Sequence, residues 1–323
     1  MNIPVLKTPD DYARALDAAR QPYQSNYYAM YSSLLGAITL DGAFMQVPLD
    51  DHVVHRGDGV FDTFKCVGGA AYNLEAHLAR LMQSAAGIGL EWKGGVGDIR
   101  RLTLETLRAA NRAECTCRIM LSRGPGGFGV SPYEPAGPGL YIVVIKSGTP
   151  FMDLHPEGAR VLRSAVPAKP GFWATIKSCN YLPNVFMKRE AVDAKADFTL
   201  GFDDAGHLTE GAVENAGIAT RGGALVFPEL RNILAGTTML RVMELARGLR
   251  GLVNGVEVRG ITGDEVADAA ELLIVGTTIN VVAGVEYNGK SVGDGKPGPM
   301  YKVLHDALVA DMAKNSAVRT VYL

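Results

Sequence analysis

Lys177 stands between the β-branched pair Thr175-Ile176 and an Asn-Tyr-Leu-Pro-Asn run that opens a helix. A lysine amine becomes a nucleophile or a base when burial or a nearby cation lowers its pKa. The junction of an apolar strand with a helix start supplies such a setting. The plainer reading is a lysine whose stem follows apolar surface while its ammonium stays in water. Glu210, in "HLTEGAVENAG", follows a hairpin strand. Its carboxylate can sit beside a protonated ring nitrogen, or simply face solvent at a turn. Two Gly-Thr-Thr runs complete the set. "ILAGTTMLRV" (233–242) opens a strongly amphipathic helix, and the free N–H groups of a helix start, with hydroxyls beside them, bind anions. Taken singly, it is equally an ordinary threonine cap. "LIVGTTINV" ends an apolar strand with the hydroxyls of Thr277 and Thr278. "GDGKPG", near 293–298, lacks the Lys-Ser/Thr pair of a nucleotide loop and reads as a plain loop.

One cofactor uses all four features. Pyridoxal 5'-phosphate needs a lysine for its aldehyde, an acid for its pyridine nitrogen and an anion site for its phosphate. The combination is much less expected by chance than any single member.

The elements that would carry these residues are legible along the chain. Thr8-Pro9-Asp10-Asp11 starts a helix that runs through Arg20. "YAMYSSLLGAITLDGAFMQVP" reads as a hairpin turning at Asp41-Gly42, and "FDTFKCVGGAAYNL" as one turning at Gly68-Gly69. Leu74, Leu78, Leu81, Met82 and Ala85 share one helical face, and "VGDIRRLTLETLRAANRAE" forms a second helix. "CTCRIMLSRG" and "GLYIVVIK" are strands around a Gly/Pro-rich loop. In the second half, strands and helices alternate. A helix spans 180–196, hairpins turn at 203–206 and at Gly222-Gly223, and Thr262 to Glu265 form a capping box. Helices follow from 236 and from 300. The expected organisation is α+β with α/β character in two domains. Residues 1–146 form a small N-terminal unit, 147–158 an interdomain loop, and 159–323 a large C-terminal unit.

Composition narrows the classes of partner. The 323 residues are 47% hydrophobic and carry a formal net charge of −2. That balance gives no reason to expect nucleic acid or an anionic membrane as partner. The six histidines are dispersed, with no metal-binding spacing. Cys115 and Cys117 form C-x-C and read as small apolar fillers on one strand face. No apolar leader or spanning run is visible, so a cytoplasmic protein with reduced thiols is expected.

At this point a resemblance becomes specific. "HRGDGVFDT" (55–63), "LEAHLARL" (74–81), "IKSCNYLPNVFMKREA" (176–191), "LTEGAVENAG" (208–217), "ILAGTTMLRV" (233–242) and "VGTTINVV" (275–282) occur in one order. Together they resemble the class IV, fold type IV, pyridoxal-phosphate aminotransferases. That group includes the D-amino-acid and branched-chain aminotransferases and the aminodeoxychorismate lyases. "AMYSSLLGAITLD", "VPAKPGFWATIK" and "GDGKPG" are most similar to the plant-type D-amino-acid subgroup. The resemblance implies a two-domain fold type IV enzyme, usually a homodimer, with its site between the domains. It implies Lys177 as the lysine that takes the cofactor's aldehyde and shuttles the proton, and Glu210 as partner of the pyridine nitrogen. Arg80 would contact the phosphate and Tyr181 would neighbour the phenolic oxygen. Leu234, Gly236, Thr237 and Thr238 would form the phosphate turn, with Thr277 as a further phosphate contact. Thr278, Phe61 and Arg123 would face the substrate pair, an amino acid and a 2-oxo acid.

The pattern departs from the bacterial D-amino-acid enzymes in one place. They carry an R-x-H pair after a "TRG" strand to hold the α-carboxylate, and "LSRGPGGFGVSP" has none. Its "SRGPGGFG" is similar to a stretch of the lyases, which release pyruvate from 4-amino-4-deoxychorismate. This departure counts against a bacterial-type D-amino-acid enzyme; on the plant-type similarity a D-amino acid is the leading donor, with branched-chain L-amino acids next and the lyase reaction as the alternative.

Overall fold

The computed structural model describes residues 3–249, 251 and 253–323. Two sheets organise the chain. The first is antiparallel throughout. Its strands run in the order Arg319–Val321, Ala70–Tyr72, Gly59–Val67, Cys115–Ser122, Gly139–Ile145, Tyr27–Ser32 and Ala37–Thr39. Alternation along Gly59–Val67 sends Val60, Phe64 and Cys66 to one face, where they pack with Cys115, Cys117, Ile119 and Leu121 beneath the helices Leu74–Gly87 and Gly95–Ala110. Phe61, Thr63, Arg118 and Met120 line a cleft on the other face. The cysteine pair on Cys115–Ser122 is buried filler, as its spacing implies.

The second sheet is mixed. From Gly255–Val258 it passes through Ala224–Phe227, Asn215–Ala219, Glu271–Gly276, Asn280–Tyr287, Ala159–Arg163 and Phe198–Phe202 to Leu208–Gly211. Glu210 then pairs with Asn215, so the last of these strands meets the third and the sheet closes on itself. Apolar side chains such as Val161, Leu200, Ile218, Leu272 and Val282 form one core. The helices Thr237–Gly248 and Pro299–Lys314 cover another, through Met239, Val242, Met243, Leu304 and Leu308. The chain then crosses back: Arg319–Val321 pairs with Ala70–Tyr72, and the Tyr72 hydroxyl donates to Asp311 at 2.6 Å. The two sheets are thus tied by the last residues as well as by the segment 147–158.

Three expected boundaries move. The first hairpin turns at Ser33–Gly36, where Gly36 has a φ of 61°. Asp41-Gly42 instead starts the short helix Gly42–Phe44: the Asp41 carboxylate accepts from the Ala43 N–H at 3.0 Å, and Arg20 pairs with it at 2.7 Å. An Asp-Gly pair suits this local cap as well as a hairpin turn. The helix expected over 180–196 is Leu182–Asp193, with Pro183 at its first turn and Lys195 left-handed beyond its end. Before Lys177 there is a short helix, Phe172–Thr175, and not a strand. Ala174 and Ile176 are buried there, and Ile176 sits against Gly87.

Candidate active site

Asp62 organises the side of the site formed by the first sheet. It is fully buried on the helix-facing side of Gly59–Val67. Arg80 donates to it through Nε and one terminal nitrogen, both at 2.8 Å. His77 Nδ1 lies 2.7 Å from the same carboxylate. His77 and Arg80 are three residues apart on Leu74–Gly87 and so share a face. Burial alone would raise the Asp62 pKa, but the facing His77 and Arg80 outweigh it and hold the carboxyl well below the usual range. Burial likewise lowers the His77 pKa. Both partners reach onward to the segment before Thr237–Gly248. Arg80 donates to the Ala235 carbonyl at 3.3 Å, and His77 Nε2 lies 3.2 Å from the Thr237 hydroxyl.

That segment forms an anion cradle. Gly236 precedes the helix without a side-chain cap, so the first N–H groups point outward unpaired by side chains. Asn215 donates to the Leu234 carbonyl at 2.9 Å and fixes the turn. A Cβ on Gly236 would lie 1.8 Å from the Asn215 side-chain oxygen, so only glycine fits. The Thr238 and Thr277 hydroxyls are 3.3 Å apart.

Lys177 is pinned through its backbone. Its N–H donates to the Ser84 hydroxyl at 3.2 Å, and its carbonyl accepts from the Phe61 N–H at 3.0 Å. The amine lies 3.4 Å from the Tyr181 hydroxyl and 4.8 Å from the Phe61 ring centre. Desolvation first, and the Arg80 charge second, bring its pKa down to about 8. Burial raises the Tyr181 pKa. Glu210 lies on Leu208–Gly211, and its carboxylate accepts from the Leu234 N–H at 3.0 Å. The residue is only partly covered, but its carboxyl is desolvated, which pushes the pKa up to about 7.

Arg80, Lys177, Tyr181, Glu210, Leu234, Gly236, Thr237, Thr238 and Thr277 all line one pocket between the two sheets. Phe61 and Thr278 line the adjoining cleft with Lys177. Arg123 is not brought there. Two of its nitrogens pair with Asp58 at 3.0 Å, and it donates to the carbonyls of Gly89 and Ile88 at 2.9 and 2.8 Å. All three of its nitrogens are thereby engaged, with Asp58 and with the loop after Leu74–Gly87. Sequence reasoning missed Asp62, His77, Lys169 and Arg118. The spacing of His77 and Arg80 was a usable signal for the first two. Strand alternation across Cys115–Ser122 was one for Arg118. Lys169, whose amine sits 5.1 Å from the Tyr181 ring centre, comes from an irregular stretch with no periodic signal.

A cation-lined pocket with a desolvated lysine and a desolvated carboxyl, set between two sheets, has the chemistry to receive an anionic group. The comparisons with known proteins identify the class. The amino-transferase class IV family profile matches residues 59–287. The chain is 37% identical over 314 residues to the chloroplastic D-amino-acid transaminase of Arabidopsis thaliana, covering 96% of this chain and 83% of that one. It is 28% identical to the D-alanine aminotransferase of Bacillus licheniformis, over 84% of this chain and 93% of that one. Its fold matches that of the T.th. branched-chain amino acid aminotransferase solved with pyridoxamine 5'-phosphate, with a TM-score of 0.85 at 22% identity, covering 92% and 99% of the two chains. This chain belongs to the class IV aminotransferases and has their fold type IV architecture. It is a transaminase by family, and these relatives give the lyase alternative no support.

Proposed function

We propose that this aminotransferase binds pyridoxal 5'-phosphate and moves an amino group from a D-amino acid to a 2-oxo acid. The observation that carries the reading is the convergence on one pocket of a desolvated amine, a desolvated carboxyl and an arginine beside an uncapped helix start. This donor set fits the cofactor. Arg80, the N–H groups from Gly236 onward and the hydroxyls of Thr237, Thr238 and Thr277 would hold the phosphate dianion. Glycine at 236 lets this turn pack directly against the Asn215 side chain that holds it. Leu234 would anchor the turn, Glu210 would face the pyridine nitrogen, and Tyr181 would neighbour the phenolic oxygen. When bound, pyridoxal phosphate supplies an aldehyde that condenses with amines and a protonated ring that accepts electrons from the substrate carbon.

The chain's own residues supply positioning and proton transfer. With a pKa of about 8, a fraction of Lys177 is neutral at neutral pH, so its amine would carry the proton from the substrate's α-carbon to the carbon that receives the amino group. The two backbone hydrogen bonds of Lys177 aim that amine. Glu210, a carboxylate when paired with a cation, would keep a facing ring nitrogen protonated. Phe61 and Thr278 would contact the substrate.

The similarity to the Arabidopsis enzyme over nearly the whole chain supports a D-amino acid as donor; branched-chain L-amino acids are the second class. The test is a half-reaction. The holoprotein is mixed with single D- and L-amino acids without any 2-oxo acid, and its visible cofactor band is followed. Loss of the band with D-alanine or D-glutamate is expected. Conversion by L-leucine or L-valine alone would transfer the assignment to the branched-chain group, and no conversion at all would refute transamination.

The assembly and setting belong to the same reading. The exposed Trp173, Leu182, Val185 and Phe186 beside the site support a homodimer. The division at 147–158 follows the change of sheet, with 319–321 lent back to the first unit. The four free cysteines support a reducing, cytoplasmic setting. Among the described residues no helix is long and apolar enough to cross a membrane.

A further inference from the structure

Arg118 lies on Cys115–Ser122 directly across from Thr63. Strand alternation turns it, with Met120, away from the buried Cys117 and Ile119 and into the cleft beside Lys177. Its guanidinium stacks over the Phe61 ring at 5.1 Å, and its Nε donates to the Thr63 hydroxyl at 3.1 Å. These contacts orient the group but engage only its inner edge. Among the described residues, neither terminal nitrogen has a hydrogen-bond partner and no carboxylate lies within ion-pair distance. The other arginines near the site are different: Arg80 is held by Asp62 and Arg123 by Asp58.

The cleft facing Arg118 has a volume of about 450 Å³. The Lys177 amine and the Arg118 guanidinium each lie about 5 Å from the same Phe61 ring centre, so they are at most about 10 Å apart. An α-amino acid spans that gap when its nitrogen points to Lys177 and its carboxylate to the arginine. A planar fork with two free donors matches a carboxylate in bidentate geometry.

We propose that Arg118 binds the α-carboxylate of both donor and 2-oxo acid, in place of Arg123, which the sequence set against the substrate. The inference rests on the aminotransferase reading above. Phe61 and Thr63 act as the supports that hold the fork flat, and the rest of the cleft is left to the substrate side chain.

The test uses the holoenzyme and two variants, Arg118→Gln and Arg118→Lys. Half-reactions with D-alanine and D-glutamate are measured over a range of concentrations, together with the binding of the unreactive carboxylate 4-methylvalerate. Arg118→Gln should raise the half-saturation concentration of both amino acids about 10- to 100-fold, the loss of a charge-assisted contact, with a much smaller change in the limiting rate. The carboxylate should bind more weakly by a similar factor, and Arg118→Lys should recover part of each loss. The side chain is exposed, so the melting temperature and cofactor band should match those of the parent. Unchanged half-saturation and carboxylate binding would overturn the assignment. A loss confined to D-glutamate would also overturn it, because the contact would then be to a side-chain carboxylate. If the parent enzyme converts no amino acid, the donor reading itself fails; a parent that converts them equally well with Arg118→Gln removes only Arg118.

Discussion

Replacing Glu210 by Gln should have opposite effects on the empty and the loaded protein. In the cofactor-free fold, desolvation raises the Glu210 pKa from 4.5 to about 7, with Leu234, Lys169 and Lys177 opposing it. The folded chain then holds this proton more tightly than the unfolded chain. The stability from the protonated carboxyl is fully present below pH 4.5 and is lost as pH rises to about 7. One pKa unit is worth about 1.4 kcal/mol, so the loss approaches about 3 kcal/mol, or roughly 2–3 kcal/mol once water access to a partly covered residue is allowed for. Glutamine titrates no proton there and can keep the bond from the Leu234 N–H. The cofactor-free Glu210→Gln variant should therefore gain on the parent steadily between pH 5 and 7 and hold a constant advantage above. With pyridoxal phosphate present the sign reverses, because the variant has no charge to set against the ring nitrogen. Cofactor binding should weaken about 10- to 100-fold. Urea unfolding of both apoproteins across pH 5 to 8, at equal m-values, checks the first part, and a cofactor titration checks the second. A stability difference that does not change with pH would refute the placement of this carboxyl in a desolvated pocket.

Other substitutions test the remaining parts of the site. Lys177→Ala should abolish covalent cofactor attachment; borohydride reduction and a tryptic mass map would show pyridoxyl on another lysine if the assignment is wrong. Arg80→Ala leaves the buried Asp62 carboxylate with only His77 and the Thr63 N–H as partners, so it should destabilise the fold by about 3–5 kcal/mol and speed cofactor loss on dialysis. An unchanged melting temperature would remove the charge cluster from the structural account. Lys65, buried and donating to Asn280 at 2.6 Å, ties the first sheet to the strand that follows Thr277-Thr278. Burial lowers its pKa from 10.5 to about 8, which costs stability below pH 8 and ceases to as pH rises to 10.5. Lys65→Met should therefore do best relative to the parent near pH 7 and lose ground towards pH 10; a flat difference in unfolding midpoints would contradict this.

Much of the fold was legible because its signals are local. The Leu74–Gly87 face follows helical spacing, the Gly68-Gly69 turn follows from residues that accept positive φ, and the capping box at Thr262–Glu265 is written in four consecutive residues. The failures were local signals with two physical outcomes. Asp41-Gly42 can close a hairpin or cap a short helix, and the Arg20 pairing that accompanies the cap comes from a residue 21 positions away. The β-branched Thr175-Ile176 favours a strand until Gly87 provides a surface for Ile176 to pack upon.

The sequence by itself pointed Lys177, Glu210 and the two Gly-Thr-Thr runs toward one cofactor chemistry, since residue types in a fixed order carry that information, and the structure brings them to one region. Only the tertiary structure decided which charges are already spoken for. Arg118 and Arg123 lie five positions apart and look alike in the chain. Among the described residues, one turns into the cleft with its terminal nitrogens unpaired, and the other has every nitrogen bonded to Asp58 or to one of two carbonyls. That difference depends on strand direction and on partners 34 to 65 residues distant, and no local pattern contains it.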